Sequence, residues 1–301
     1  MSKKVITSYK AFDKNMQCRG FQYEVGKEYE MDGEIECCNR GFHACKSPIE
    51  VWNYYDMLNS RYAEVEQSGK IEKEENSTKV CSSHIKIKAE LKLADIINIG
   101  VEWLKDITSP SKVKADGVLN DNGDRRKQIG SSGDSAQIGS SGNSAQIGSS
   151  GDSAKIGSSG YSAQIGSSGN SAQIGSSGDS AQIGSSGYSA KIGSSGDSAK
   201  IGSSGDSAKI GSSGDSAQIG SSGDYAKIDS TGEDSVIMCA GNSSRAKAKV
   251  GSWITLTEWK WSYEKKRDVP VCVKTEYVDG DNIKADTWYQ LKNRKFVEVT
   301  E

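Results

Sequence analysis

The chain has 301 residues, of which 34% are hydrophobic and 26% charged, and its formal net charge at pH 7 is −2. This balance excludes the broad basic surface typical of proteins that bind nucleic acids or anionic membranes, and it gives no strongly acidic field. No apolar run approaches the ~18 residues of a membrane span, and the first residues lack a signal-peptide core, so we expect a cytoplasmic protein. Seven cysteines, an odd number, favour reduced thiols over a disulfide framework.

Residues 1–120 predict a small α+β domain. Alternating or β-prone segments predict strands at residues 8–12, 21–25, 61–66 and 84–91. Ser47 followed by Pro48 has the form of a helix N-cap and first helical residue, so a helix is predicted from Pro48 to about Leu58. A second helix is predicted over residues 94–105.

Residues of zinc-binding types are frequent in this domain: Cys18, Cys37, Cys38, His43, Cys45 and Cys81. No Cys-x-x-Cys pair occurs, and adjacent cysteines on a strand point to opposite faces. The sequence therefore favours buried free thiols, with no metal site and no cofactor.

His43 lies just before the first predicted helix, and Tyr9, Lys10 and Glu64 or Glu66 lie on predicted neighbouring strands. This set suggests a nucleotide-handling pocket, for which Tyr9, His43 and Glu66 are the candidate residues. The segment Gly41-Phe42-His43 and the order of elements resemble the ADP-ribosyltransferase fold, which implies a mixed sheet and nucleotide chemistry. No base, nucleophile and orienting group can be assembled from the sequence, which favours a structural histidine and a non-enzymatic protein.

Residues 121–245 contain a nine-residue repeat, Ile-Gly-Ser-Ser-Gly-Asp-Ser-Ala-Gln, in which isoleucine recurs at every ninth position from Ile129 to Ile237. Positions in the unit are counted from the glycine that follows isoleucine, so the aspartate stands at the fifth position. The Ala-Gln-Ile segment alternates as a short strand, and the glycines and serines after it predict a turn tolerant of positive φ. Two units per coil predict a β-solenoid of about six coils with an isoleucine and alanine core. A period of 27 in the fifth position of the unit leaves a three-sided coil as the alternative.

Two units per coil place alternate units on opposite faces of the column. One outward ladder is amide-rich: Gln128, Gln146, Gln164, Gln182, Lys200 and Gln218. The other is lysine-rich: Gln137, Lys155, Gln173, Lys191, Lys209 and Lys227. Candidate binding residues are four of these lysines and two tyrosines at the fifth position: Lys155, Lys191, Lys209, Lys227, Tyr161 and Tyr188.

The repeat also resembles two known solenoid types in its glycines. In the calcium-binding nonapeptide the aspartate stands one position later in the unit than Asp134 does here, so no calcium cage is expected. Ice-binding solenoids present threonine or serine ladders, whereas these strands present glutamine and lysine. Ice binding is kept as an alternative function.

Both ends of a solenoid need caps. The charged segment Asp121–Lys127 is predicted to be a degenerate first turn. Residues 246–301 predict an antiparallel β cap, with strands at 252–261, 271–278, 288–291 and 296–299.

The two flanks, residues 8–58 and 252–299, resemble an uncharacterised family of tailed-phage and gut-bacterial proteins, on the segments Gly41–Pro48 and Asp286–Val299. The resemblance implies a phage protein in the host cytoplasm and names no activity. We therefore expect a non-enzymatic interaction protein whose column or N-terminal domain binds a host or phage macromolecule, a protein rather than nucleic acid or membrane. A homo-oligomer stays open.

Overall fold

The computed structural model describes residues 5–74, 77–108, 118–120 and 128–300. The chain divides into two compact units, Met1–Trp103 and Leu104–Glu301. It is mainly β, with 47% strand and 8% helix, and the predicted order of N-terminal domain, solenoid and antiparallel C-terminal strands is confirmed. The predicted charged first turn, Asp121–Lys127, lies outside the described residues.

The N-terminal unit is built on strands that close into a ring. Its strands are β1 (Ile6–Phe12), β2 (Gln17–Cys18), β3 (Phe21–Gln22), β4 (Glu28–Glu30), β5 (Phe42–Cys45), β6 (Arg61–Lys73) and β7 (Lys79–Leu91). The pairs β1–β5, β5–β7, β7–β6 and β6–β1 form a closed cycle, and β4 adds to β7. Every described strand pairing of the N-terminal unit is antiparallel, so the mixed sheet expected there is wrong.

Gln67 fixes the ring from inside, where its side chain is fully buried. Its amide nitrogen donates to the carbonyls of Phe42 and Val80, and its oxygen accepts from the Ser8 hydroxyl at 2.6 Å. One polar side chain on β6 therefore bonds to the other three strands of the ring, which satisfies its buried groups. The apolar core beside it contains Phe12, Val65, Ile85 and Ile87, among others.

The first predicted helix is shorter and tighter than the sequence indicates. It is a 3₁₀ helix, Pro48–Asn53, in which Ser47 stands at the N-cap without a side-chain capping bond. The Asp56 carboxylate accepts the backbone N–H of Leu58 at 3.0 Å, which closes a separate turn where helix was predicted. The second predicted helix is confirmed as α1 (Leu93–Ile107).

The repeats form two parallel sheets, as two units per coil require. One sheet contains β8 (Val118–Asn120), β10 (Gln137–Ser140), β12 (Lys155–Ser158), β14 (Gln173–Ser176), β16 (Lys191–Ser194), β18 (Lys209–Ser212), β20 (Lys227–Ser230) and β22 (Arg245–Lys247). The other contains β9 (Gln128–Ser131), β11 (Gln146–Ser149), β13 (Gln164–Ser167), β15 (Gln182–Ser185), β17 (Lys200–Ser203), β19 (Gln218–Ser221) and β21 (Val236–Cys239).

The register of these strands excludes the three-sided coil. Ile138 pairs with Ile156 and Ile147 with Ile165, so each residue stacks on the one 18 positions later. The solenoid makes about seven turns rather than about six. The difference arises because β22 and the strand β23 (Trp253–Ser262), assigned by sequence to the cap, continue the two stacks.

The turns differ from the expected glycine turns. Positive φ occurs at the serine after the fifth position, such as Ser198 (φ 55°) and Ser207 (φ 58°), and at no described glycine of the repeat. The fifth residue has a structural role that the sequence does not reveal: the Asp197 carboxylate accepts the backbone N–H of Asp215 in the next coil at 2.9 Å. Aspartate and asparagine at this position therefore bond successive coils to each other.

The C-terminal cap is confirmed as antiparallel. β23 pairs with β24 (Arg267–Tyr277), and β25 (Tyr289–Lys292) pairs with β26 (Lys295–Glu298). β23 also pairs in parallel with β21, so the last coil and the cap share a strand. Leu256, Val278, Tyr289 and Leu291 pack into the core of the column, which covers its end.

Candidate functional site

A cavity of about 640 Å³ opens in the N-terminal unit, beside β1 and β5. Tyr9 and His43 both line it. Glu66 does not line it, because its carboxylate bonds to Lys88 on β7 at 2.8 Å. The structure thus brings together two of the three candidate pocket residues and places the third elsewhere on the sheet.

Lys10, which the sequence placed beside Tyr9 without predicting its burial, also lines this cavity. It follows Tyr9 on β1, faces inward with Phe12, and is only 4% exposed. Its Nζ donates to the backbone carbonyl of His43 at 2.9 Å and lies 3.5 Å from the Cys18 sulfur. Among the described residues no carboxylate forms an ion pair with Nζ, and burial lowers the pKa of Lys10. The alternation of side chains along β1 places Lys10 on the same side as Phe12, and this was the signal from which its burial could have been predicted.

His43 holds the loop at the cavity mouth. Its Nε2 accepts the backbone N–H of Cys38 at 2.9 Å, and the ring also hydrogen-bonds to the backbone of Gly41. Burial, aided by the nearby Lys10 and Lys79 cations, lowers the pKa of His43 to about 4. Both bonds go to the backbone, so a neutral His43 positions residues 38–41 rather than presenting a free base.

The cavity rim combines cations with aromatic rings. Arg19, Arg40 and Lys79 line it, and none of its described lining residues is an aspartate or glutamate. The Lys79 Nζ lies 3.4 Å from a carboxylate oxygen of Glu74, which partly neutralises its charge. Arg19 is exposed, and its guanidinium group donates to the carbonyl of Cys38 at 3.4 Å.

Besides Tyr9, the aromatic side chains that line the cavity are Phe21, Tyr23, Phe42, Tyr54 and Tyr55. Phe21 packs edge-on against Tyr23 with ring centroids 4.8 Å apart, yet remains 46% exposed. Such a half-exposed ring has a free face on which a planar group can stack.

The cysteines do not assemble into a metal site. Cys18 and Cys45 line the cavity, whereas Cys81 lies near the carbonyl of Arg40 at 3.3 Å. Within residues 5–74, 77–108 and 128–300, no three His, Cys, Asp or Glu side chains are placed to hold a metal ion. All seven cysteines are free thiols.

This geometry coincides with a recognised domain. Residues 6–99 match a domain of unknown function, DUF7666. The DUF7666 domain includes every described residue that lines the cavity. No curated protein and no solved structure matches the chain. Among the described helices, none has the length and apolar character needed to cross a membrane.

The four candidate lysines of the column lie on one sheet, in the predicted register, but they are not a free cationic surface. Lys155, Lys191, Lys209 and Lys227 are half-buried and all have interaction partners. Gln173 of the same ladder is 2% exposed. The two tyrosines are the opposite case, since Tyr161 and Tyr188 are 56% and 57% exposed at turns.

The lowered pKa of His43 predicts acid sensitivity of the DUF7666 domain. The folded pKa, about 4, lies below the ordinary value of 6.5, so protonation favours the unfolded chain. We expect the stability of this domain to fall as the pH drops from about 6.5 towards 4. Hydrogen exchange of amides in residues 36–45 across this range measures it. In His43→Gln, which cannot titrate, this pH dependence should be smaller; an unchanged profile would contradict the assignment.

Proposed function

We propose that the DUF7666 domain binds a small anionic ligand that contains an aromatic ring, of the nucleotide class, and that the solenoid serves as its scaffold. The observation that carries this proposal is Lys10, a buried ammonium group that lines the cavity and has no carboxylate partner among the described residues. A buried charge is costly unless it is paired. A phosphate or carboxylate in the cavity would supply the missing charge.

The other lining residues favour the same ligand chemistry. Arg19 and Arg40 offer planar guanidinium groups, which match phosphate and carboxylate oxygens in a bidentate geometry. Phe21 and Tyr54, which are each 46% exposed, offer rings against which a base can stack. A volume of about 640 Å³ suits a ligand of nucleotide size.

The same residues favour binding over catalysis. Glu66 lies outside the cavity, and His43 uses its ring to hold the backbone of the loop. An ADP-ribosyl transfer needs a carboxylate near the reacting sugar, and the described lining residues include none. We therefore expect no release of nicotinamide from NAD, which chromatography of the reaction mixture measures.

Isothermal titration calorimetry with ATP, adenosine and inorganic phosphate tests the proposal. We expect ATP to bind, and adenosine and phosphate to bind at least ~10-fold more weakly, because each offers only part of the recognition. Arg19→Ala should weaken ATP binding by ~10-fold or more, the effect of losing one charge-assisted hydrogen bond. Lys88→Ala, which removes a lysine outside the cavity, is the matched control and should bind like the parent.

Lys10→Met separates a ligand-binding role from a structural one. Methionine fills the same space without a charge, so the unliganded protein should melt at the same or a higher temperature. ATP binding should be lost. A variant that is destabilised and still binds ATP, or a parent chain that binds no nucleotide at ~1 mM, would overturn the proposal.

A second candidate function is display of the column to a macromolecular partner, in a phage protein that acts on a host target. The uncovered glutamine ladder of one sheet favours it, since Gln146, Gln164 and Gln182 are all exposed. Removal of residues 183–200 shortens the column by one whole coil and should weaken capture of a partner that spans the ladder. Ice binding of this ladder stays a prediction that a thermal-hysteresis measurement tests.

A further inference from the structure

The sheet that contains β9 to β21 has an open outer surface, which we call the amide face. It consists of two parallel rows that run along the column. The ridge row is Gln128, Gln146, Gln164, Gln182, Lys200 and Gln218, and the groove row is Gly130, Gly148, Gly166, Gly184, Gly202 and Gly220. Together they border an open groove of about 1190 Å³.

Contacts among the described residues do not require glycine in the groove row. A Cβ atom added at Gly148, Gly184 or Gly202 would meet no described atom within 4 Å. The ridge, in contrast, is ordered, because the Gln128 amide donates to the Gln146 side chain at 3.0 Å. The amide face therefore has a regular relief that the packing of its own coils does not require.

The two rows continue into the cap with apolar residues. Val236, Trp253 and Tyr277 extend the ridge row, by the pairings Gln218↔Val236, Val236↔Trp253 and Trp253↔Tyr277. Met238 and Thr255 extend the groove row. The four apolar side chains of this extension, Val236, Met238, Trp253 and Tyr277, are exposed, between 43% for Tyr277 and 53% for Met238. Exposed apolar patches of this kind mark interaction sites.

We infer that the amide face is a dimer interface whose occupant is the amide face of a second copy. A two-fold axis parallel to the column, lying between the two rows, places the ridge of each copy over the groove of the other. Val236 and Trp253 then meet Met238 of the second copy, and each glutamine packs on a glycine. The same axis leaves both columns parallel.

Charge and area agree with this occupant. The two rows contain one charged residue, Lys200, so two copies meet with little repulsion. Nine strands about 4.8 Å apart and four residues wide give roughly 500 Å² per copy, or roughly 1,000 Å² in total. That area is at the lower limit of a specific interface, so the dimer should be reversible.

Sedimentation analysis from ~1 to ~200 µM tests the inference, since a reversible dimer of this size should dissociate within that range. We expect the sedimenting mass to rise from one chain to two. Gly184→Arg/Gly202→Arg fills the groove, where each new side chain points into open space, and should weaken dimerisation at least ~10-fold without unfolding the monomer. Tyr263→Arg adds positive charge at a side chain that is 88% exposed and belongs to neither row, so this variant should dimerise like the parent.

A cysteine experiment tests the predicted orientation. With parallel columns, Gln182→Cys/Gly184→Cys should form a covalent dimer under mild oxidation more readily than the parent, whose seven free thiols set the background. A chain that stays monomeric at ~200 µM, a dimer that survives the two arginines, or cross-linking by Gln182→Cys alone would overturn the inference. None of these results bears on nucleotide binding by the DUF7666 domain.

Discussion

Gly205→Ala is expected to destabilise the solenoid by ~3 kcal/mol or more, whereas Gly202→Ala in the same unit should be nearly neutral. The Cβ of an alanine at position 205 would overlap the carbonyl oxygen of Gly187 and lie 2.6 Å from its carbon. The obstacle is backbone of the coil below, so the substitution must separate two stacked coils. At Gly202 the added methyl group meets no described atom within 4 Å.

Denaturant unfolding of the parent and the two variants, followed by circular dichroism, measures the difference. Both substitutions are glycine to alanine in one repeat, so changes in the unfolded chain largely cancel between them. Equal stabilities of the two variants would show that the turns do not stack as closely as Gly205 and Gly187 do here. A destabilised Gly202→Ala would instead indicate a neighbour over the amide face.

The period of the isoleucines was sufficient to predict the solenoid and its 18-residue coil. Each Ile must face inward, and nine residues cannot close a coil, so the pairing Ile138↔Ile156 and the two outward ladders could be predicted from spacing. The turn could not be predicted in the same way. Ser207 adopts positive φ where its backbone N–H donates to the carbonyl of Asp224 in the neighbouring coil at 2.7 Å, and spacing within one unit does not contain that contact.

The cavity of the DUF7666 domain shows the same limit. Sequence placed Tyr9, His43 and Glu66 on neighbouring elements, and the pairing Tyr9↔Glu64 confirms that β1 and β6 are neighbours. The registers Tyr9↔Cys45 and Thr7↔Glu66 place all three residues on one face of the sheet, but Glu66 is displaced along β6 and its carboxylate bonds to Lys88 away from the cavity. The sequence placed Lys10 beside Tyr9, but its burial could not be predicted, because a lysine is normally assigned to the solvent side of a strand.

The interior of the column contains a polar feature that its apolar periodicity hides. Serines two residues after each isoleucine face inward, and nine of their hydroxyl groups are buried without a hydrogen-bond partner: Ser149, Ser158, Ser167, Ser176, Ser185, Ser194, Ser203, Ser212 and Ser221. In the first coil the corresponding hydroxyls of Ser131 and Ser140 accept the backbone N–H of Gly133 and Gly142, each at 3.3 Å. An unpaired buried hydroxyl costs about 1 to 3 kcal/mol.

Ser203→Ala is therefore expected to stabilise the solenoid by about 1 kcal/mol, and alanine at all nine positions by several kcal/mol. Ser204→Ala, at the exposed neighbouring serine, is the control and should change stability by less than ~0.5 kcal/mol. Denaturant midpoints of the three variants measure these differences. If Ser203→Ala loses stability while Ser204→Ala does not, the buried hydroxyls have partners in solution, such as ordered water, and the column has a hydrated rather than a dry core.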